Sequence, residues 1–72
     1  MDGYENLANA IILQAVKDYR KALRKLNRNS QNKDAKRTVS DVERFFRSDW
    51  YKALTSVDGE LLIKKLREES RI

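Results

Sequence analysis

Between residues 4 and 26, apolar side chains return every three or four positions: Tyr4, Leu7, Ala8, Ile11, Ile12, Ala15, Val16, Tyr19, Ala22, Leu23 and Leu26. That recurrence is the period of one helix face, and over this length it predicts a helix of about six turns. Asp2, with Glu5 three residues on, has the form of a capping box at its start. "NRNSQN", residues 27–32, holds no apolar residue and reads as a loop. A second stripe, Ala35, Val39, Val42, Phe45 and Phe46, predicts a helix from just after Asn32 to about Arg47. "SDVE" at 40–43 would allow a start near Asp41, but the stripe reaching back to Ala35 favours the earlier one. Ser48 suits the N-cap of a short helix from Asp49 to about Leu54, which breaks the aromatic run between Phe46 and Trp50. Asp58 suits the cap of a last helix, Gly59 to about Glu69, with Leu61, Leu62, Ile63 and Leu66 inward. No proline and only two glycines interrupt the chain, and no internal repeat is visible. The expected fold is all-α: one domain over residues 1–72, a small bundle of one long N-terminal amphipathic helix, a second helix and two shorter C-terminal ones.

The first helix is long for its chain. About 25 residues span roughly 38 Å, more than a 72-residue globule requires. The succession Ile11-Ile12-Leu13 is also wider than one or two short helices can cover. A chain of this size is close to the limit at which one core suffices, and it has no cysteine for a disulfide. A homo-oligomer joined through the first helix is therefore expected. Asn6, Asn9 and Gln14 interrupt an otherwise good helix former. They could set the register between paired helices or offer amides to a ligand.

Composition narrows the chemistry. Without cysteine or histidine there is no thiolate nucleophile, no thiolate metal site and no imidazole base. The close carboxylate pairs are Asp41 with Glu43, Asp58 with Glu60, and Glu68 with Glu69. Spacings of one or two put their side chains on different helix faces, which makes a poor acid–base couple. "DGE" at 58–60 lacks the alternating oxygen ligands of a calcium loop. The expectation is a protein without catalytic residues, metal or cofactor. No apolar run approaches the ~20 residues of a membrane span, and no basic-then-apolar leader opens the chain. A cytoplasmic protein with no membrane partner is expected.

The net charge of +5 is unevenly placed. Residues 17–37 hold nine Lys or Arg against Asp18 and Asp34, whereas residues 1–16 have two acids and no cation. Lys17, Arg20, Arg24 and Arg28 are the candidates for contact with a nucleic-acid backbone. Cations near a helix C-terminus also complement the macrodipole, without any ligand. The second candidate is "RFFRSDWYKAL", residues 44–54. Arg44 and Arg47 lie three apart and could grip phosphate, Ser48 and Asp49 open the next helix, and Trp50 or Tyr51 could stack on a base. The same aromatics at the same spacing also suit a core.

"YENLANAIILQAVKDYRKAL", followed by "ERFFRSDWYKALTSVDGELLIKKLR", resembles a family of short, uncharacterised helical proteins from phages and mobile elements of low-GC Gram-positive bacteria. The resemblance covers nearly the whole chain and implies a regulator, or an inhibitor of host defence, acting in the bacterial cytoplasm. Together with the arginine–aromatic corner it suggests a non-enzymatic anti-defence protein. Such a protein would sequester a negatively charged nucleotide, such as a cyclic immune signal, through Arg44, Arg47, Ser48, Asp49, Trp50 and Tyr51. The alternatives are a basic nucleic-acid-binding regulator and a direct inhibitor of a host protein.

Overall fold

Three side-chain caps set the helix boundaries. A computed structural model describes residues 3–70, with side chains from 7 to 70, as four helices: α1 (Gly3–Arg28), α2 (Lys33–Phe46), α3 (Asp49–Leu54) and α4 (Gly59–Glu69). The Asn32 side chain accepts from the Ala35 amide at 3.0 Å and starts α2. The Ser48 hydroxyl accepts from Tyr51 N at 3.1 Å and donates to Phe45 O at 2.6 Å, closing α2 and opening α3 together. Asp58 takes the amides of Glu60 and Leu61 at the head of α4. Each cap satisfies a donor that the first turn of a helix leaves open. The expected capping box falls on Asp2 and on the Glu5 side chain, which lie outside the described residues, as does the Tyr4 side chain.

The loop expected over 27–32 is shorter: Asn27 and Arg28 stay helical, and Asn29–Asn32 make the turn. Asn27 has a tertiary reason, since its Nδ2 donates to the Ser70 carbonyl at 2.6 Å and ties the end of α1 to the end of α4. The core draws on all four helices: Val16, Tyr19, Ala22 and Leu23; Ala35, Val39 and Phe46; Tyr51; Ile63 and Leu66. Two expected core members are corrected. Leu7 is 59% exposed and Leu61 51% exposed. Leu61, two residues before Ile63 and five before Leu66, points away from their face of α4. Leu7 lies in the first turns of α1, which sets the long axis of a 42 × 20 × 20 Å molecule.

The end of the bundle is aromatic. Tyr19 meets Phe46 edge-on at 5.9 Å, and Phe46 meets Tyr51 edge-on at 5.6 Å. Phe45 touches Phe46, Trp50 and Tyr51 at 5.3–5.7 Å. All but the tilted Phe45–Phe46 pair are edge-to-face, and these contacts add to the apolar area that the rings bury. Gly59 lets α4 reach them. A Cβ on Gly59 would lie 2.0 Å from the Phe46 carbonyl oxygen and 3.4 Å from the Tyr51 ring. The nearest obstacle is backbone, so no rotamer change relieves it. Gly59→Ala is expected to cost about 1–3 kcal/mol, as overpacking does. Its urea midpoint should fall while the helical circular dichroism survives; an unchanged midpoint would show that α4 can move away freely.

Candidate functional site

The six residues expected to form a nucleotide corner do not converge. Tyr51 is 1% exposed, so its ring has no free face on which a base could stack. Ser48 uses its hydroxyl in both directions as a cap. Arg47 forks onto Glu60 through Nε and Nη2 and reaches Glu43 at 3.5 Å. Asp49 occupies the first turn of α3, a helix of six residues. Arg44 and Trp50 remain exposed, and neither forms an ion pair or hydrogen bond with a described residue. Trp50 and Arg47 line separate grooves, Trp50 between α1 and α2 and Arg47 against α4. Adjacent Trp50 and Tyr51 thus go opposite ways: α4 covers Tyr51, and Trp50 leans edge-on against Phe45 at the surface.

What occupies the arginines is a carboxylate between three helices. Glu43 accepts a 2.5 Å hydrogen bond from the Tyr19 hydroxyl, and Arg67 forks onto the same oxygen through Nε and Nη2. Burial pushes the Glu43 carboxyl up, but the Tyr19 and Arg67 hydrogen bonds and the charges of Arg67 and Arg47 outweigh it, so it titrates below the ordinary 4.5. Burial, and then Glu43 itself, holds the Tyr19 phenol well above its ordinary 10.0. Tyr51 is pushed up as well, by burial and then by the charge of Asp58. Its hydroxyl is buried and makes no hydrogen bond among the described residues.

The basic candidates fare differently. Lys17, Arg24 and Arg28 are exposed on the outer face of α1. Arg20 is corrected: its Nε pairs with Glu69 at 2.6 Å, which turns it towards α4. Two residues missing from the expectation join the face, Lys21 and Lys25, which with Arg24 and Arg28 line one shallow groove of ≈ 310 Å³. Lys17, Lys21, Arg24, Lys25 and Arg28 fall within roughly 100° of arc at 3.6 residues per turn. None of the five pairs with a described acid. The spacing i, i+4, i+7, i+8, i+11 from Lys17 was the sequence signal for this grouping.

About a quarter-turn round α1 from this row, a groove of ≈ 410 Å³ is lined by the half-buried Ile11, Ala15, Val42 and Phe45 and by the exposed Trp50, Gln14, Asp18 and Asp41. Gln14 donates to Asp18 at 3.0 Å. The two carboxylates make this groove unsuited to a phosphate. No described helix is long and apolar enough to cross a membrane.

Two contrasts test the Glu43 hub. Tyr19→Phe should lose about 1–3 kcal/mol, the cost of breaking a hydrogen bond to a charged group, whereas Tyr51→Phe should be neutral or stabilising because it removes an unsatisfied buried hydroxyl. Equal losses in urea unfolding would refute that division. The second contrast is in pH. Glu43 holds its proton more weakly folded than unfolded, so its stabilisation is present above pH 4.5 and is lost as pH falls through the lowered folded value. Tyr19 holds its proton more tightly folded, so its contribution is present below pH 10.0 and is lost as pH rises beyond it. Urea midpoints should form a plateau with both edges falling, and Glu43→Gln should flatten the acid edge and, because Glu43 helps to hold the Tyr19 phenol up, soften the alkaline edge as well.

No protein-family model, curated protein or solved structure matches this chain, so the reading of its surfaces rests on their own geometry.

Proposed function

We propose that this protein is a non-enzymatic binding protein that docks the outer face of α1 on the phosphate backbone of a nucleic acid. The observation that carries the reading is the row Lys17, Lys21, Arg24, Lys25 and Arg28, exposed together and without an acidic partner among the described residues. Three i, i+4 pairs of like charge, 17/21, 21/25 and 24/28, each destabilise the helix by a few tenths of a kcal/mol. The macrodipole offsets this only in the last turn, where Lys25 and Arg28 stand. Lys17 and Lys21 lie too far back to benefit. Lys33, Lys36 and Arg37, exposed in the first turns of α2, are even opposed by that helix's dipole. Arg20, Arg47 and Arg67, in contrast, are each held by a carboxylate. A surface that pairs its arginines where the fold needs them and leaves five cations of one face unpaired among the described residues, with Asp18 and Asp34 only at its border with α2, favours an anionic partner.

From Lys17 to Arg28 the row is about 16 Å long, the axial length of about five base pairs. Recognition of this kind follows phosphates and not base edges. The start of α4 carries Glu60, paired with Arg47, which counts against a recognition helix there. A second copy joined through α1 belongs to the same reading, because two linked faces bind one polyanion far more tightly than either alone. In the phage or mobile-element setting that the family resemblance implies, such a protein would act as a small regulator in the host cytoplasm.

Fluorescence anisotropy with a labelled mixed-sequence duplex tests this. Between about 50 and about 200 mM salt, log Kobs should fall against log salt with a slope of roughly −4, as expected for about five phosphate contacts. The Arg24→Gln/Lys25→Gln double variant should reduce that slope by about 2 while remaining helical. Absence of binding at about 50 mM salt would end the reading. A thermal shift with a cyclic or linear nucleotide, lost in Arg44→Ala or Trp50→Ala, would instead favour nucleotide capture by the two corner residues that stay exposed.

A further inference from the structure

The first turns of α1 and the groove beside them share one uncovered apolar surface. Leu7 lies one turn before Ile11 on the same helix face and is largely exposed. Ile11 and Ala15 continue that face into the groove, where Val42, Phe45 and the 58% exposed Trp50 complete it. We propose that a second copy of this chain covers the surface, its α1 lying antiparallel in the groove with Ile11 near the two-fold axis.

Charge selects both the occupant and its direction. Each chain carries +5, so two copies repel wherever their basic segments meet. Residues 1–16 contain no Lys or Arg, whereas residues 17–28 contain six: Lys17, Arg20, Lys21, Arg24, Lys25 and Arg28. A parallel pair would set six cations beside six at an interaxial distance of about 8–10 Å, comparable to the screening length of physiological salt. In an antiparallel pair centred on Ile11, the two Lys21 residues stand roughly 30 Å apart and the two Arg28 residues roughly 50 Å apart. Both separations are well beyond the screening length of about 8 Å. The contact is isologous: Leu7 of each copy faces Ala15 of the other, and the small Ala8 and Ala15 on either side of Ile11 let the helices come close. Asp18 and Asp41 also line the groove and are exposed in the single chain; Asp18, two turns beyond Ile11 on the same face, stands towards the end of the paired stretch.

The pairing has a consequence for the proposed nucleic-acid face, and only this consequence rests on that reading. The two-fold axis of an antiparallel pair is perpendicular to the plane of the two helices, so residues that point up on one helix point up on the other. The row centred near residue 23 lies about a quarter-turn round α1 from Ile11. Both cationic rows therefore face one side, with centres roughly 36 Å apart, close to the about 34–36 Å of one duplex turn.

Sedimentation equilibrium from micromolar to sub-millimolar chain should find a species of twice 8.5 kDa. Leu7→Lys and Ile11→Lys should be monomeric with unchanged circular dichroism. Leu13→Lys, the same charge change at another exposed position of α1 but outside the groove, should still dimerise. The chain has no cysteine, so Ile11→Cys should oxidise to a cross-linked dimer and Lys25→Cys should not. A monomeric wild type throughout, a dimer that survives Ile11→Lys, or cross-linking at Lys25→Cys would each overturn the proposal. Anisotropy on the Leu7→Lys monomer separates the two ideas. Salt-sensitive duplex binding at least tenfold weaker than wild type supports the pairing. A monomeric wild type that still binds duplex overturns the pairing alone, and a dimer that binds none overturns only the nucleic-acid face.

Discussion

The hydrogen bond from the Tyr19 hydroxyl to Glu43 is the contact on which the bundle turns. Tyr19 is fully enclosed, and an enclosed hydroxyl without a partner is costly, so its partner must come from another helix. A carboxylate supplied by α2 meets that need but brings a charge to the edge of the core. Arg67 of α4 and Arg47 at the end of α2 then compensate the charge. One acidic group thereby joins α1, α2 and α4. It also determines where the neighbouring arginines can be: Arg47 is shared between Glu43 and Glu60 and is no longer available to a ligand.

Charge in this molecule is divided by use. Where α4 packs, each arginine has a carboxylate: Arg20 with Glu69, Arg47 with Glu60, Arg67 with Glu43. Exposed pairs of this kind add little stability singly, but they fix the rotation of α4 against the α1–α2 pair. Along the outer face of α1 the cations have no such partners among the described residues. The functional reading follows from this division and does not follow from the net charge, which would be the same if every acid were moved to the other side.

The helix boundaries were legible because they depend on neighbours in sequence. Ser48 and Asp58 cap as their positions suggested, and the stripe from Ala35 to Phe46 marked α2. The candidate site was legible only in part. Lys17, Arg24 and Arg28 were readable from the charge map, and Lys21 and Lys25 follow from the helix period. Arg20 could not be separated from them, because its partner Glu69 lies 49 residues away. Nor could the nucleotide corner be judged. Its six residues are adjacent in sequence, but capping occupies Ser48, a pair across 13 residues occupies Arg47, and packing of α4 encloses Tyr51.

The sequence by itself determined the all-α class, the four helices and the concentration of positive charge after residue 16, because period, caps and composition act over a few residues. The tertiary structure alone decided which of two adjacent aromatics is core and which is surface. It also decided which arginines are structural and which face of α1 is left uncovered. The physical reason is the approach of α4: Gly59, with no Cβ, lets it settle on the Phe46 carbonyl. That contact encloses Tyr51, brings Arg67 to Glu43, and leaves Trp50 and the first turns of α1 outside.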